Sequence, residues 1–240
     1  MLKYGKRLIM ILLLLSISPV IRTVFPREKS RVQLFFGVYT QHYGLTQALS
    51  DYDVKISNAK SNGVVDFPKD SDIAVTKLII LSDVSGAEFN QEQTEKIKGY
   101  VENGGRLLVL GGPFTLGIGQ LDKHGLDKIL PVYLEPFDLK WEKEGEVFGR
   151  GVKSEITEGI DLSAKPKVYW IHSIPEKLPV ENAEILLNAG KYPLLISGSY
   201  GKGRVFVFTG TPMGNPKEGD VPFWEWDGWM KIIRKIAEGK

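Results

Sequence analysis

The sequence predicts an α/β fold built on a mainly parallel sheet, and three observations point there. Residues 32–38 (VQLFFGV), 77–81 (KLIIL) and 106–110 (RLLVL) are continuous apolar runs of strand length. Runs without alternation suit strands covered on both faces, as in parallel sheets. A helix fits between the last two runs, with Asn90 as its N-cap and Ile97, Tyr100 and Val101 at helical spacing. Asn103, Gly104 and Gly105 end that helix, because glycine takes the left-handed conformation that follows a helix at no steric cost. The joints are short, so strand, helix and strand form a βαβ unit with a right-handed crossover.

The remaining elements follow in order. After the first strand, residues 43–49 read as a short helix and 54–56 as a second strand. Residues 58–72 are polar and rich in turn formers, so they read as a loop. Residues 126–130 make a helical turn ended by Pro131, and 132–151 mix acids, bases and aromatics in rough alternation, which predicts strands or a hairpin. Four short strands follow at 167–171, 184–188, 193–197 and 204–209, with residues 200–203 as a hairpin turn between the last two. Residues 223–237 form a closing helix with Trp226, Trp229, Met230, Ile233 and Ile236 on one face. On that spacing Trp224 falls off the face and is expected to be exposed.

Composition removes several functions. The 240 residues contain no cysteine. Disulfides, Cys-ligated zinc, iron–sulfur clusters and a catalytic thiol are therefore excluded. Apolar content of 42% argues against disorder. The formal charge of +2 lacks the basic excess of a nucleic-acid binder. That near-neutral sum hides an asymmetry. Residues 1–30 hold six basic groups (Lys3, Lys6, Arg7, Arg22, Arg27, Lys29) against Glu28, leaving 25 basic and 28 acidic groups in residues 31–240.

The basic head precedes an apolar run at residues 8–21 (LIMILLLLSISPVI). A positive start followed by such a run marks an export signal or an anchor, and the positive flank stays in the cytoplasm. Pro19 makes a poor cleavage site after Ser16 and Ser18, which favours an uncleaved anchor. Residues 1–30 thus read as a signal or membrane-anchor segment with its linker, and 31–240 as one domain outside the cytoplasm. Abundant Lys and Glu with little Gln lean towards a heat-adapted chain.

Residues 77–132 carry an ordered pattern: Asp83 and Val84 after a strand, Tyr100, Val101, Gly104 and Gly105 at a helix end, then Gly111, Gly112, Pro113, Thr115 and Gly117, and finally Leu130, Pro131 and Val132. This order resembles the class I glutamine amidotransferase-like superfamily, and within it a non-catalytic branch. The stretch YPLLISGSYGKGRVFVFTGTP near residues 192–212 resembles that family's penultimate hairpin. The resemblance implies a flavodoxin-like three-layer sandwich, with ligands at the C-terminal ends of the strands. Two loops are expected to meet there, residues 82–86 and 111–119. In active members the first supplies an oxyanion hole. The second is a strand-to-helix elbow with a cysteine nucleophile, and a histidine and a carboxylate follow the last core strand. Here the elbow reads Gly111, Gly112, Pro113, Phe114, and residues 209–212 read Thr-Gly-Thr-Pro. Neither the thiol nor that histidine is present.

The ligand-binding loop residues expected from this reading are Ser82, Asp83, Val84, Gly111, Gly112, Pro113 and Thr115. Asp83 either orients a ligand or caps the next turn. Thr115 is the loop's lone hydroxyl and has no base nearby in sequence. Gly111, Gly112, Gly117 and Gly119 would let backbone N–H groups approach an anion, although their spacing is not that of a phosphate-binding fingerprint. His172 follows a strand and either faces the pocket or is an ordinary hydrogen-bonded histidine. His42, His124 and His172 are too scattered for a metal site, so no metal and no cofactor are expected. Glu142, Glu144 and Glu146 alternate with Lys140 and Lys143 as a solvated strand face. The leading expectation is a binding or interaction module for a protein partner or a carbohydrate. The alternative is a hydrolase of altered chemistry using Asp83, Thr115 or His172, and a third reading is a structural subunit of a membrane complex.

Overall fold

The computed structural model describes residues 29–60, 63–64 and 66–239. Of the expected signal or anchor segment with its linker, residues 1–30, all but the last two residues lie outside them. No helix among the described residues is long and apolar enough to cross a membrane.

The chain runs β1 (Arg31–Phe36), α1 (Leu45–Ala48), β2 (Asp53–Lys60), β3 (Gly63–Val64), α2 (Asp70–Ala74), β4 (Thr76–Ser82), α3 (Gln91–Glu102) and β5 (Arg106–Leu110). It continues through β6 (Leu139–Arg150), β7 (Lys167–His172), β8 (Glu184–Ala189), β9 (Tyr192–Tyr200), β10 (Gly203–Phe208), β11 (Gly210–Thr211) and α4 (Asp227–Glu238). The described strands form one sheet in the order β11-β7-β6-β8-β9-β10-β5-β4-β1-β2-β3. Its centre, β2-β1-β4-β5-β10, is parallel throughout. Numbered among themselves, those five strands have the 2-1-3-4-5 order of flavodoxin-like sheets.

Alternation along the central strands builds the layers. Leu78, Ile80, Leu108 and Leu110 pack with Leu45 and Leu49 near α1 and with Trp229, Ile232, Ile233 and Ile236 of α4. Ile79, Leu81, Leu107 and Val109 point the other way, onto Ile97 and Val101 of α3. Both faces are therefore dry, which explains why these strands read as continuous apolar runs. Asn90 accepts from Gln93 N at 2.9 Å, and the Gln93 side chain accepts from Asn90 N at 3.1 Å. This reciprocal cap fixes the expected start of α3.

The expectation of a mainly parallel sheet holds for the centre and fails on the flank beyond β10 and at the short β3 edge, which pairs antiparallel with β2. From β10 outward, β9, β8, β6, β7 and β11 all pair antiparallel. The hairpin considered for residues 132–151 is instead a single strand, β6, which pairs with β7 along one edge and β8 along the other. Its register breaks between Trp141 and Glu146, where Gly145 takes φ 69°. A bulge with left-handed glycine leaves the same sequence trace as a turn. The loop expected at 58–72 is shortened by the end of β2, by β3 and by α2. Trp224 is half-buried against the Phe223 and Tyr169 rings rather than exposed.

Candidate functional site at the strand C-termini

The two loops predicted to meet do so beyond β4 and β5. Gly86 N and Ser85 Oγ both donate to Gly119 O at 2.9 Å. Between them, Asp83 holds two chain segments at once. Its Oδ1 accepts from Phe114 N at 2.9 Å and its Oδ2 from Tyr39 N at 3.1 Å. Asp83 has φ 52°, a conformation that short polar side chains tolerate better than most. The cap of the following 3-10 turn, Gly86–Glu88, is Ser85 and not Asp83. Asp83 is thus a bridge between loops. Burial pushes its carboxyl up to about 6, against the opposing pull of the Phe114 and Tyr39 N–H groups and of His172.

Within the elbow, Gly112 has φ 154°. A Cβ at this position would sit 2.1 Å from Asp83 Oδ1. Any side chain is therefore shut out of the position by the carboxylate beside it. On its other side Gly112 meets His172, whose Nε2 lies 3.2 Å from Gly112 N and 3.0 Å from Gly112 O. The His172 Nδ1 lies 3.0 Å from Asp138 Oδ1, both side chains fully buried, in an ion-pair contact off the hydrogen-bond line. Asp138 in turn accepts from Gly117 N and Ile118 N, each at 3.2 Å. Of the four loop glycines, Gly117 thus donates its N–H to one of the protein's own acidic side chains.

Tyr43 closes the floor. Its hydroxyl lies 2.8 Å from Gly111 O and 2.7 Å from Gly210 O, tying the ends of β5 and β10 together. Burial, with the Asp83 charge adding to it, holds the Tyr43 phenol well above its ordinary value, so it remains a neutral donor.

The predicted residues separate on this geometry. Asp83 and His172 converge from opposite sides on Gly112. Thr115 is buried next to them, yet its Oγ1 has no hydrogen-bond partner and so no base. Ser82 is buried with its Oγ unpartnered, and Val84 is packed in the apolar layer on the α3 face. Gly111 is buried, Pro113 is partly exposed and Phe114 projects at 50% exposure. His42 and His124 are exposed and His172 alone is interior. Glu142 and Glu144 are less free than a solvated face implies, since Glu142 accepts from Tyr192 Oη and Glu144 pairs with Lys217. Sequence reasoning missed Asp138 and Tyr43. Neither sits in a motif, because their roles arise from β6 and the 3-10 turn Thr40–Tyr43 folding back onto the elbow.

Two clefts of about 600 and 550 Å³ lie at the opposite edge of the sheet, sharing Lys77 and Arg106 at the strand starts. Their cations are largely committed to the fold: Arg106 donates to Ile236 O and Ala237 O at the end of α4, and Arg234 to Ala48 O at the end of α1. These contacts complement helix C-termini. Among the described residues no cluster of three His, Cys, Asp or Glu could hold a metal ion.

A family model described as "Putative glutamine amidotransferase" matches residues 40–238. Two solved structures, both cytoplasmic proteins of Salmonella typhimurium, superpose with TM-scores of 0.70 and 0.71 at 16% and 19% identity. They cover 87% and 88% of this chain and 98% of each of theirs. A "thua-like protein" from Bacteroides uniformis superposes with a TM-score of 0.58 at 14% identity, over 92% of this chain and 94% of its own. At these identities the likeness is one of fold. No match arises among curated proteins.

Proposed function

The chain belongs to the GATase1-like family of glutamine amidotransferase relatives, and on that premise we propose that it is a binding module without glutaminase chemistry, on a body that is membrane-tethered or exported. The observation that carries this reading is Gly112. At Gly112 the elbow as it stands has no room for a nucleophilic side chain, because a Cβ there would lie 2.1 Å from Asp83 Oδ1. The sequence supports it further, with no cysteine and with Thr209, Gly210, Thr211 and Pro212 after the last core strand. His172 reaches the elbow from β7 and spends its Nε2 on the Gly112 backbone. The basic residues before the apolar run at 8–21 support tethering or export.

Recognition is assigned to the edge where the loops meet. Of the five described non-glycine residues with positive φ, Asp83 and Leu116 lie in these loops, Gln120 directly follows the second, and Phe137 precedes the Asp138 that binds it. Strain of this kind persists where the surrounding structure enforces it and gathers at working sites. Phe114, Tyr133, Phe137 and Trp141 are exposed around the same edge, between 48% and 80%. Such aromatic side chains suit a protein partner or a carbohydrate, offering apolar area at little entropic cost.

The test is capture of the full-length protein from its native membranes, with identification of bound protein and glycan, beside Phe114→Ser/Phe137→Ser. The expected result is a partner retained by the wild type and lost from the variant. Glutamine hydrolysis by the purified chain, surviving mock-purified controls, would overturn the reading, as would a partner held equally by both proteins.

A further inference from the structure

The edge at which the parallel strands start gathers both the chain's entry and its widest clefts. Lys29 and Ser30, the first described residues, line the cleft of about 550 Å³ and a further one of about 260 Å³ beside Val75. Val75 is 57% exposed there. The edge continues through Lys77 and Arg106 to the β9–β10 turn, where Lys202 N donates to Glu102 O at the end of α3. The two larger clefts together hold five cations, Lys77 and Arg106 shared between them, against three acids, Asp51, Asp70 and Glu238. Residues 31–240 as a whole carry 25 basic and 28 acidic groups, so these clefts are positive on a negative body. Lys77 and Lys202 are exposed, and their ammonium groups have no hydrogen bond or ion pair among the described residues.

We propose that this strand-start edge docks on the anionic headgroups of the bilayer and so turns the recognition edge outward. The inference rests on the tethered reading of residues 1–30. Ile21 ends the apolar run, and Ser30 stands nine residues further on. Nine residues reach at most about 30 Å in any conformation, whereas a domain of this length is roughly 40 Å across. The leash is therefore too short to lay the strand C-termini on the bilayer with the entry point facing away. Within that reach, charge selects the contact. Basic groups close to an anionic surface are attracted to it, and the attraction fades within a Debye length. Lys77 and Lys202, which hold nothing else, supply that attraction. Arg106 and Arg234 stay tied to the ends of α4 and α1 and keep the edge in shape. Asp51 and Glu238 oppose the contact without cancelling it.

The experiment places the full-length protein in nanodiscs of phosphatidylcholine, with or without an equal part of phosphatidylglycerol, each carrying a lipid with a nitroxide on its headgroup. The chain has no cysteine of its own, so Val75→Cys, Lys202→Cys and Glu135→Cys each take a single fluorophore. Val75 and Lys202 mark separate points of the strand-start edge, and Glu135 lies against Gly117 at the far one. The expected result is several-fold stronger quenching at 75 and 202 than at 135 in the phosphatidylglycerol discs, weakened by high salt and by Lys77→Gln. Equal quenching at near and far sites would overturn the docking, as would quenching at 75 without 202 or quenching indifferent to phosphatidylglycerol and salt. All three labels replace exposed side chains, and if one near variant fails to fold the other still decides against Glu135→Cys. A chain that alkaline carbonate strips from its native membranes would overturn the tethered reading and the docking together. An inserted chain quenched equally at every site overturns the docking alone.

Discussion

At the residue scale the strongest constraint is Asp83, which is 2% exposed and carries two backbone hydrogen bonds. Its carboxyl is raised from 3.8 to about 6, chiefly by burial. The folded protein therefore binds this proton more tightly than the unfolded chain, and the stability linked to it is fully present below about pH 4. As pH rises from about 4 to about 6 the unfolded chain ionises first and stability falls, levelling off above. Urea unfolding of wild type and Asp83→Asn at a series of pH values isolates this contribution. The wild type is expected to lose up to about 3 kcal/mol relative to the variant between pH 4 and pH 7. A difference that stays constant across that range would show that Asp83 is not buried as a carboxylate. The residue was legible from its place after an apolar strand. Its role was not, because Tyr39 and Phe114 are 44 and 31 residues away in sequence.

At the scale of elements, local signals and long-range ones part company. Helix α3 begins with a capping box that the sequence displays within four residues, Asn90 to Gln93. Asn90→Ala removes the exposed, purely local bond from Gln93 N to Asn90 Oδ1, while the Gln93 side chain keeps its bond to the backbone N–H of residue 90. It is expected to cost about 1 kcal/mol, read as a lower urea midpoint at unchanged slope. A loss below a few tenths would mean that tertiary packing of Ile97 and Val101 sets the helix start instead. The same locality explains which parts of the fold were readable. The central strands, α3 and the β9–β10 turn follow from apolar runs, caps and glycines. The antiparallel flank did not, because β6 reveals itself only through its pairing with both β7 and β8. The site divides in the same way. The elbow glycines are visible in sequence, whereas Asp138 reaches Gly117, Ile118 and His172 only once the antiparallel flank has brought the start of β6 and the end of β7 against the loop after β5.

At the scale of the whole molecule, the parallel centre and the antiparallel flank share one apolar layer. Phe148, Ile156, Ile160, Val168, Ile171 and Leu187 of the flank pack in the same cluster as Phe206 and Phe208 of β10 and Trp229 and Ile233 of α4. Trp229 is the centre of that layer. Its ring stands 4.3 Å from Phe208 and 5.3 Å from Phe223, and its Nε1 donates to Tyr43 O at 2.8 Å. Tyr43 passes the connection to Gly111 and Gly210, so the closing helix, the turn after β1 and the elbow are joined through two side chains. Neither half of the sheet can bury this face alone, and the two should therefore melt together. Tryptophan fluorescence samples both regions, through Trp141 and Trp170 on β6 and β7 and through Trp226 and Trp229 near the C-terminus. Thermal unfolding of the full-length chain is expected to give coincident transitions by fluorescence and far-ultraviolet circular dichroism. Trp229→Ala, which empties the shared layer, is expected to cost about 3–5 kcal/mol and to lower both transitions together. An earlier fluorescence transition, with the dichroism of the parallel centre persisting, would show that the flank is a separate folding unit.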